Sequence, residues 1–176
     1  VDPHLHRYRT LADLYATPTQ VLHAAPLLAD WIKAEVAKPL IIGPDLESEQ
    51  WVSAVAGRVD APHAVARKIR RGDRKVEITL PNLSEWRDHQ PVLIDDICSS
   101  GRTLIEAAGE LLFRGFPRPV CVVVHALFSD DAYKTLAETS ARVVSTDAVS
   151  HPSNAITLVP MIAESLGSSE LSRGRV

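Results

Sequence analysis

Pro91-Val92-Leu93-Ile94-Asp95-Asp96-Ile97-Cys98-Ser99-Ser100-Gly101-Arg102-Thr103-Leu104 carries an apolar run into two adjacent carboxylates, then into a turn of small and hydroxylated residues, then into a helical pattern. Residues 92–94 read as a buried parallel strand, because a strand covered on both faces is apolar without alternation. Leu104, Ala107, Ala108, Leu111 and Leu112 recur at helical spacing until Gly115 ends the pattern. The turn between them therefore opens a helix. Its unpaired amides at 99–103, the hydroxyls of Ser99, Ser100 and Thr103, and the positive end of the helix dipole can all face one phosphate. Asp95 and Asp96 stand just upstream, at the strand's C-terminal edge, where carboxylates can accept hydrogen bonds from vicinal sugar hydroxyls or bind a divalent cation through oxygen. Capping by Ser99 or Ser100 would account for an acidic, serine-bearing turn, but it does not call for the whole set together. The chain has neither the P-loop lysine spacing nor a GxGxxG, which argues against a P-loop or a dinucleotide site.

Working outward from this stretch, helices and strands alternate, the pattern of a mostly parallel sheet with helices on both faces. Helices are expected at 24–36, 47–59, 130–139 and 159–166, the second with Trp51, Val52, Val55 and Ala56 inward. Strands are expected at 40–43, 62–68, 76–80, 120–127, 142–145 and 156–158. The fold class is α/β in three layers: one domain over 1–166, then a polar, frayed tail at 167–176.

Composition agrees with one compact domain. The chain has 176 residues, 45% of them hydrophobic, enough to bury roughly 70% of the unfolded surface. A net charge of −3 offers no general attraction to nucleic acid or to an anionic membrane. No apolar run approaches about 18 residues and the N-terminus lacks a signal-peptide layout, so a cytoplasmic protein is expected. Two cysteines, Cys98 and Cys121, make neither a disulfide framework nor a zinc ribbon. Cys121 reads as core; Cys98 lies in the phosphate turn without a base nearby in sequence, which argues against a nucleophile.

Three further sites carry two readings each. Asp45, after Gly43-Pro44, and His4 could hold a metal that bridges a diphosphate; a turn-forming Asp and a surface His are the plainer alternatives. His4 and His6 could face one side of an extended segment, but no third clustered ligand supports zinc. Arg67-Lys68-Ile69-Arg70-Arg71-Gly72-Asp73-Arg74-Lys75 is strongly basic, with Gly72 a hinge. It is either a charged, protected hairpin edge or a group of cations that stabilise charge developing on phosphoryl oxygens. Nucleic-acid binding would also use such a run, but no interleaved aromatics or second basic patch accompany it.

At residues 95–103 the chain resembles the phosphoribosyl-diphosphate (PRPP) motif of type I phosphoribosyltransferases and ribose-phosphate pyrophosphokinases. Other segments are similar, in order, to the C-terminal half of the pyrophosphokinases. Val1-Asp2-Pro3-His4-Leu5-His6 is similar to their metal loop, and Leu40-Ile41-Ile42-Gly43-Pro44-Asp45 to their pyrophosphate-loop strand. Ala61-Pro62-His63-Ala64-Val65-Ala66-Arg67-Lys68-Ile69-Arg70-Arg71 is similar to the strand entering their catalytic flexible loop. Val124-His125-Ala126-Leu127-Phe128-Ser129, Ser145-Thr146-Asp147 and Val159-Pro160-Met161-Ile162-Ala163-Glu164 follow in family order. The resemblance runs from residue 1 to about 166.

It implies a phosphoribosyltransferase-like fold and transfer of diphosphate from Mg-ATP to ribose 5-phosphate, giving PRPP and AMP. Asp95 and Asp96 would hold the ribose hydroxyls. Cys98, Ser99, Ser100, Gly101, Arg102 and Thr103 would hold the 5-phosphate, although Arg102 stands where the family commonly has small residues. His4 and Asp45 would hold Mg2+, and Lys68 and Arg70 match the catalytic pair. The chain starts without Met and inside a motif, so a segment of a longer protein is expected, with most ATP contacts in another half and a homo-oligomeric assembly. One departure stands out: Leu46-Glu47-Ser48-Glu49 replaces the small residues, including glycines, that follow the family's pyrophosphate-loop aspartate. Two carboxylates there would repel a diphosphate unless metal intervenes or they point away. The alternatives are a phosphoribosyltransferase consuming PRPP, for which no segment reads as a base-recognising hood, and a non-catalytic relative that binds PRPP.

Overall fold

The computed structural model describes residues 1–173 apart from 6, 9 and 72–74, with backbone alone at 47, 50, 68–71, 75–77 and 168–173. Along the described residues the order is α1 (Ala25–Glu35), β1 (Pro39–Gly43), α2 (Glu49–Val59), β2 (His63–Val65), β3 (Arg67–Arg71), β4 (Lys75–Thr79), β5 (Gln90–Cys98), α3 (Arg102–Phe113), β6 (Val120–Ala126), α4 (Ala132–Thr139), β7 (Arg142–Thr146), β8 (Asn154–Ile156) and α5 (Val159–Arg173). Single 3-10 turns lie at Leu11–Asp13, Leu46–Ser48 and Ser84–Trp86. A six-stranded sheet runs β2-β1-β5-β6-β7-β8, parallel at every pairing, and β3 and β4 form a separate antiparallel hairpin.

Strand alternation divides the interior into two cores, one on each face of the sheet. Ile41, Val92, Ile94, Val122 and Val124 point to one face and pack with Leu28 and Ile32 of α1 and Val52 and Val55 of α2. Leu40, Ile42, Leu93, Cys121 and Val123 point to the other and pack with Leu104, Ala107, Ala108 and Leu111 of α3 and Leu136 of α4. The expected three-layer α/β architecture with a central parallel sheet is therefore the observed one. Cys121 is core, as expected, with Sγ 3.2 Å from Ser140 Oγ.

Boundaries differ where local hydrogen bonds intervene. The expected strand at 62–68 is split at Ala66, whose N–H makes a 2.9 Å bond to Gly43 O; there the chain leaves the sheet and enters the hairpin. The strand expected at 156–158 ends earlier, because Leu158 N donates to Asp147 Oδ1 at 2.8 Å instead of continuing the ladder. Conversely, α5 continues through Arg173, beyond the end expected at residue 166. No helix among the described residues is long and apolar enough to cross a membrane.

Candidate active site at the ends of β1 and β5

Strand order places a crevice. From β1 the chain steps outward to β2, then re-enters the sheet on the other side of β1 as β5; such a reversal leaves room for a ligand at the C-terminal ends of the two strands. Pairing Ile42 with Leu93 brings Asp45, just past β1, and Asp95 and Asp96, late in β5, to the same sheet edge.

The turn after β5 is open. Gly101, with φ 66°, is the N-cap of α3, and no side chain caps the helix, so neither Ser99 nor Ser100 takes that simpler role. A left-handed backbone favours glycine, and an added Cβ would also sit 3.4 Å from Ile105 Cδ1 and 3.5 Å from Cys98 Sγ. Ser129 N donates to Ser99 O at 3.1 Å, tying the turn to the loop after β6. A cavity of about 380 Å3 is lined by His4, Asp95, Ile97 and the unbroken run 98–104, within the range of small-molecule sites, roughly 300–1,000 Å3. Every residue expected to hold the 5-phosphate thus borders one cavity together with Asp95. Arg102 is exposed at the mouth, whereas Cys98 is only 2% exposed. Burial, then the charge of Asp95, then Cys121, pushes the Cys98 thiol up to about 12, so it stays protonated and unfit as a nucleophile.

The acidic pair is electrostatically loaded. Burial, followed by the neighbouring Asp96 and Asp45 carboxylates, pushes Asp95 up to about 8. Asp96 N donates back to Asp95 Oδ1 at 3.0 Å. His4 Nδ1 lies 2.7 Å from Asp96 Oδ2. His4, Asp45, Asp95 and Asp96 line a second cavity of about 880 Å3 that extends beneath residues 10–23 to Trp51. The two cavities share His4, Asp95 and Ile97. Among the described residues no three His, Cys, Asp or Glu side chains already have the arrangement of a metal cage, and His6 lies outside the described residues.

The turn after β1 is closed by its own side chains. Ser48 Oγ donates to Asp45 O at 2.6 Å, and a Cβ on Gly43 would run into Ser48 Oγ and Val52 Cγ2. Glu49 lines a separate cavity of about 630 Å3 with His63 and Arg67, which turns one of the two loop carboxylates away from the acidic trio. The side chain of Glu47 lies outside the described residues.

The basic hairpin is described by its backbone: Lys68 pairs with Ile78 and Arg70 with Val76. The side chains of Lys68 and Arg70, and the Gly72 hinge, lie outside the described residues. Sequence reasoning missed Arg114, which fastens the hairpin's exit to α3. It donates from Nη1 to Pro81 O at 2.7 Å, from Nη2 to Leu80 O at 2.9 Å and from Nε to Glu110 Oε1 at 2.7 Å. It also left His125 without a role. A histidine ending the apolar run Val120-Cys121-Val122-Val123-Val124 was the available signal.

The phosphoribosyl transferase domain family matches residues 11–158. A curated ribose-phosphate pyrophosphokinase of Sulfurisphaera tokodaii is 27% identical over 158 residues, covering 86% of this chain and 54% of the relative. The chain spans about half the length of the curated relatives it matches. Among solved structures, the phosphoribosylpyrophosphate synthetase from Mycobacterium smegmatis superposes with a TM-score of 0.68 at 19% identity, over 85% of this chain and 51% of that one. The orotate phosphoribosyltransferase from Aeropyrum pernix gives 0.53 at 21% identity, over 82% of this chain and 74% of that one. The architecture is the phosphoribosyltransferase fold.

Proposed function

The chain belongs to the phosphoribosyl transferase domain family, and on that premise we propose that it carries the ribose-5-phosphate site of a ribose-phosphate pyrophosphokinase, which transfers the diphosphate of ATP to the sugar 1-hydroxyl to give PRPP and AMP. The observation that carries this reading is the single cavity bordered at once by Asp95 and by residues 98–104. Turn amides, hydroxyls and the helix dipole hold the 5-phosphate. Asp96 and the acceptor oxygens of Asp95 take hydrogen bonds from the ribose hydroxyls. Reaction at the 1-hydroxyl then relies on positioning and charge stabilisation, the latter from Lys68 and Arg70.

Magnesium suits the donor set. Carboxylates are hard oxygen ligands, the charges of Asp96 and Asp45 that raise the proton affinity of Asp95 are ones a divalent cation would offset, and a Mg2+ site beside phosphates takes only one or two carboxylates, with phosphate and water oxygens completing it. Asp45 and His4 would hold the ion, which when bound supplies neutralisation of diphosphate charge.

Calorimetry of this chain with ribose 5-phosphate, followed by phosphorus NMR with Mg-ATP added, tests the reading. Saturable binding is expected, with AMP and PRPP signals as the signature of turnover. Absence of ribose-5-phosphate binding would sink the sugar-site assignment, and binding without AMP would sink independent turnover by this chain while leaving the sugar site standing. A second reading, a base-using phosphoribosyltransferase, has one observation in its favour: residues 2–5, 10–12, 19, 21 and 23 line the 880 Å3 cavity beside Asp45 and Trp51, as a hood over the sheet edge would. Release of pyrophosphate from PRPP on adding a free base would select it.

A further inference from the structure

We infer that His125 is a positioning residue that presents His4 to the acidic pair; the inference rests on the proposed role of His4 as a metal ligand. His125 sits on β6 directly opposite Ile97 of β5, one residue beyond Asp96. Its Nε2 lies 3.1 Å from Val1 O and 3.1 Å from Asp2 O. Both partners are carbonyls, which only accept, so Nε2 carries the proton and one N–H holds two consecutive peptide groups of the N-terminal strap.

A second fastening lies on the opposite side. Asp2 N donates to Leu22 O at 2.9 Å, and the Asp2 carboxylate takes Ala24 N at 2.6 Å and His23 Nδ1 at 2.8 Å. These bonds anchor Asp2 at the start of α1. Between them the backbone of Asp2 is held at φ 36°, a conformation that persists in a non-glycine residue only where its surroundings determine it. His4 follows two residues later, with Nδ1 2.7 Å from Asp96 Oδ2.

The hydrogen bond between His4 and Asp96, both partly exposed, does not by itself offset the entropy of ordering a strap. Fastened at β6 and at α1, the strap is already ordered when His4 meets Asp96. The Nδ1–H of His4 then donates to that carboxylate and leaves Nε2 as the ring's lone-pair atom, the arrangement in which an outer carboxylate orients a ligating histidine. His125 touches neither sugar nor metal; it acts through His4.

The test uses this chain, metal-free, in 1H–15N imidazole spectra that follow His4 in the wild type, His125→Leu and His125→Gln. Leucine fills the volume without a donor, and the glutamine amide can restore one at the same reach. His4 in the wild type and in His125→Gln is expected to show a hydrogen-bonded Nδ1–H, and in His125→Leu the averaged signals of a free imidazole. Should the leucine variant not fold, His125→Ser is read in its place. Unchanged His4 signals in a folded leucine or serine variant overturn the inference. A Mn2+ titration of the same variants separates the two layers. About tenfold weaker binding in His125→Leu, recovered in His125→Gln, supports both. Shifted His4 signals with unchanged Mn2+ affinity leave the clamp standing and remove the metal role of His4.

Discussion

The turns after β1 and β5 occupy equivalent places, at the C-terminal ends of neighbouring parallel strands, yet they are built in opposite ways. After β5 the backbone bends through a positive-φ glycine into an uncapped helix, and a 380 Å3 cavity lies against the amides and hydroxyls. After β1 the space that a bare backbone would offer to an anion is occupied by Ser48, bonded to Asp45 O at 2.6 Å and packed over Gly43. Topology therefore fixes where a ligand can sit, and side-chain volume decides which of the two turns can take it. The β5 side, the proposed sugar-phosphate site, is preformed. The β1 side, the proposed diphosphate site, offers Asp45, a neighbouring basic hairpin and a loop already folded upon itself.

If that division holds, substitutions on the two sides should separate turnover from affinity. The largest effect is expected from Lys68→Ala, a kcat loss of roughly 10²–10³-fold, typical of removing one group that stabilises transition-state charge, with ribose-5-phosphate affinity nearly unchanged. Steady-state kinetics beside calorimetry makes the comparison; equal losses in both would assign Lys68 to binding and erase the contrast. Next comes Asp96→Ala, which removes the proposed acceptor of sugar hydroxyls and the partner of His4. A loss of about 1.5–3 kcal/mol is expected from hydrogen bonds to a charged group, which weakens binding by roughly one to two orders of magnitude. Retained affinity in calorimetry would refute the sugar site.

Glycine substitutions probe the same contrast through stability. Gly43→Ala forces a Cβ against Ser48 and Val52, an overpacking that should cost about 1–3 kcal/mol. Gly101→Ala meets only ordinary contacts of 3.4 Å and longer but must keep a φ of 66°, which costs about 1–2 kcal/mol. Denaturant midpoints rank the pair. Pairing Gly43→Ala with Ser48→Ala relieves one of the two clashes and should recover part of the loss, whereas Ser48→Ala should do nothing for Gly101→Ala. Recovery at both positions, or at neither, would mean that the β1 turn is not closed by Ser48.

The β5 side was legible in sequence because its chemistry is contiguous: strand, acids, small turn and helix follow one another, and a parallel sheet forces their edge to face the ligand. The mostly parallel sheet flanked by helices followed from the alternation of elements, and the assignment of Cys121 to the core followed from its place in an apolar strand. What was hidden depends on contacts distant in sequence. The closure of the β1 loop needs Ser48 and Val52 folded back over Gly43. The bond from His125 to the strap joins residues 124 apart, and that from Arg114 to the hairpin's exit joins residues 33 apart. No local pattern reports such bonds, since an arginine near a helix end and a histidine ending a strand have ordinary local explanations. The length of α5 escaped for a different reason: Gly167 and the polar residues after it weaken helical periodicity without forbidding the helix.

The effect spread most gradually over conditions is the one that joins the two sides. Asp95 is held near 8 by burial and by the charges of Asp96 and Asp45, against an ordinary value of 3.8, so between about pH 4 and 8 the folded state keeps a proton that the unfolded chain has released. Stability must then decline as pH rises through that window, because the folded state binds more protons. Below it the contribution vanishes, and above it the penalty is complete and constant. Wild type and Asp95→Asn should therefore melt alike near pH 4 and diverge up to pH 8, with the asparagine variant the more stable. Asp45→Asn should shallow the wild-type decline, since it removes the contribution from the β1 side, and Mg2+ should shallow it too by compensating the acids. Parallel melting curves across the range would show that Asp95 ionises normally. A decline unaffected by Asp45→Asn would show that the two strand ends, although adjacent, do not share one electrostatic site.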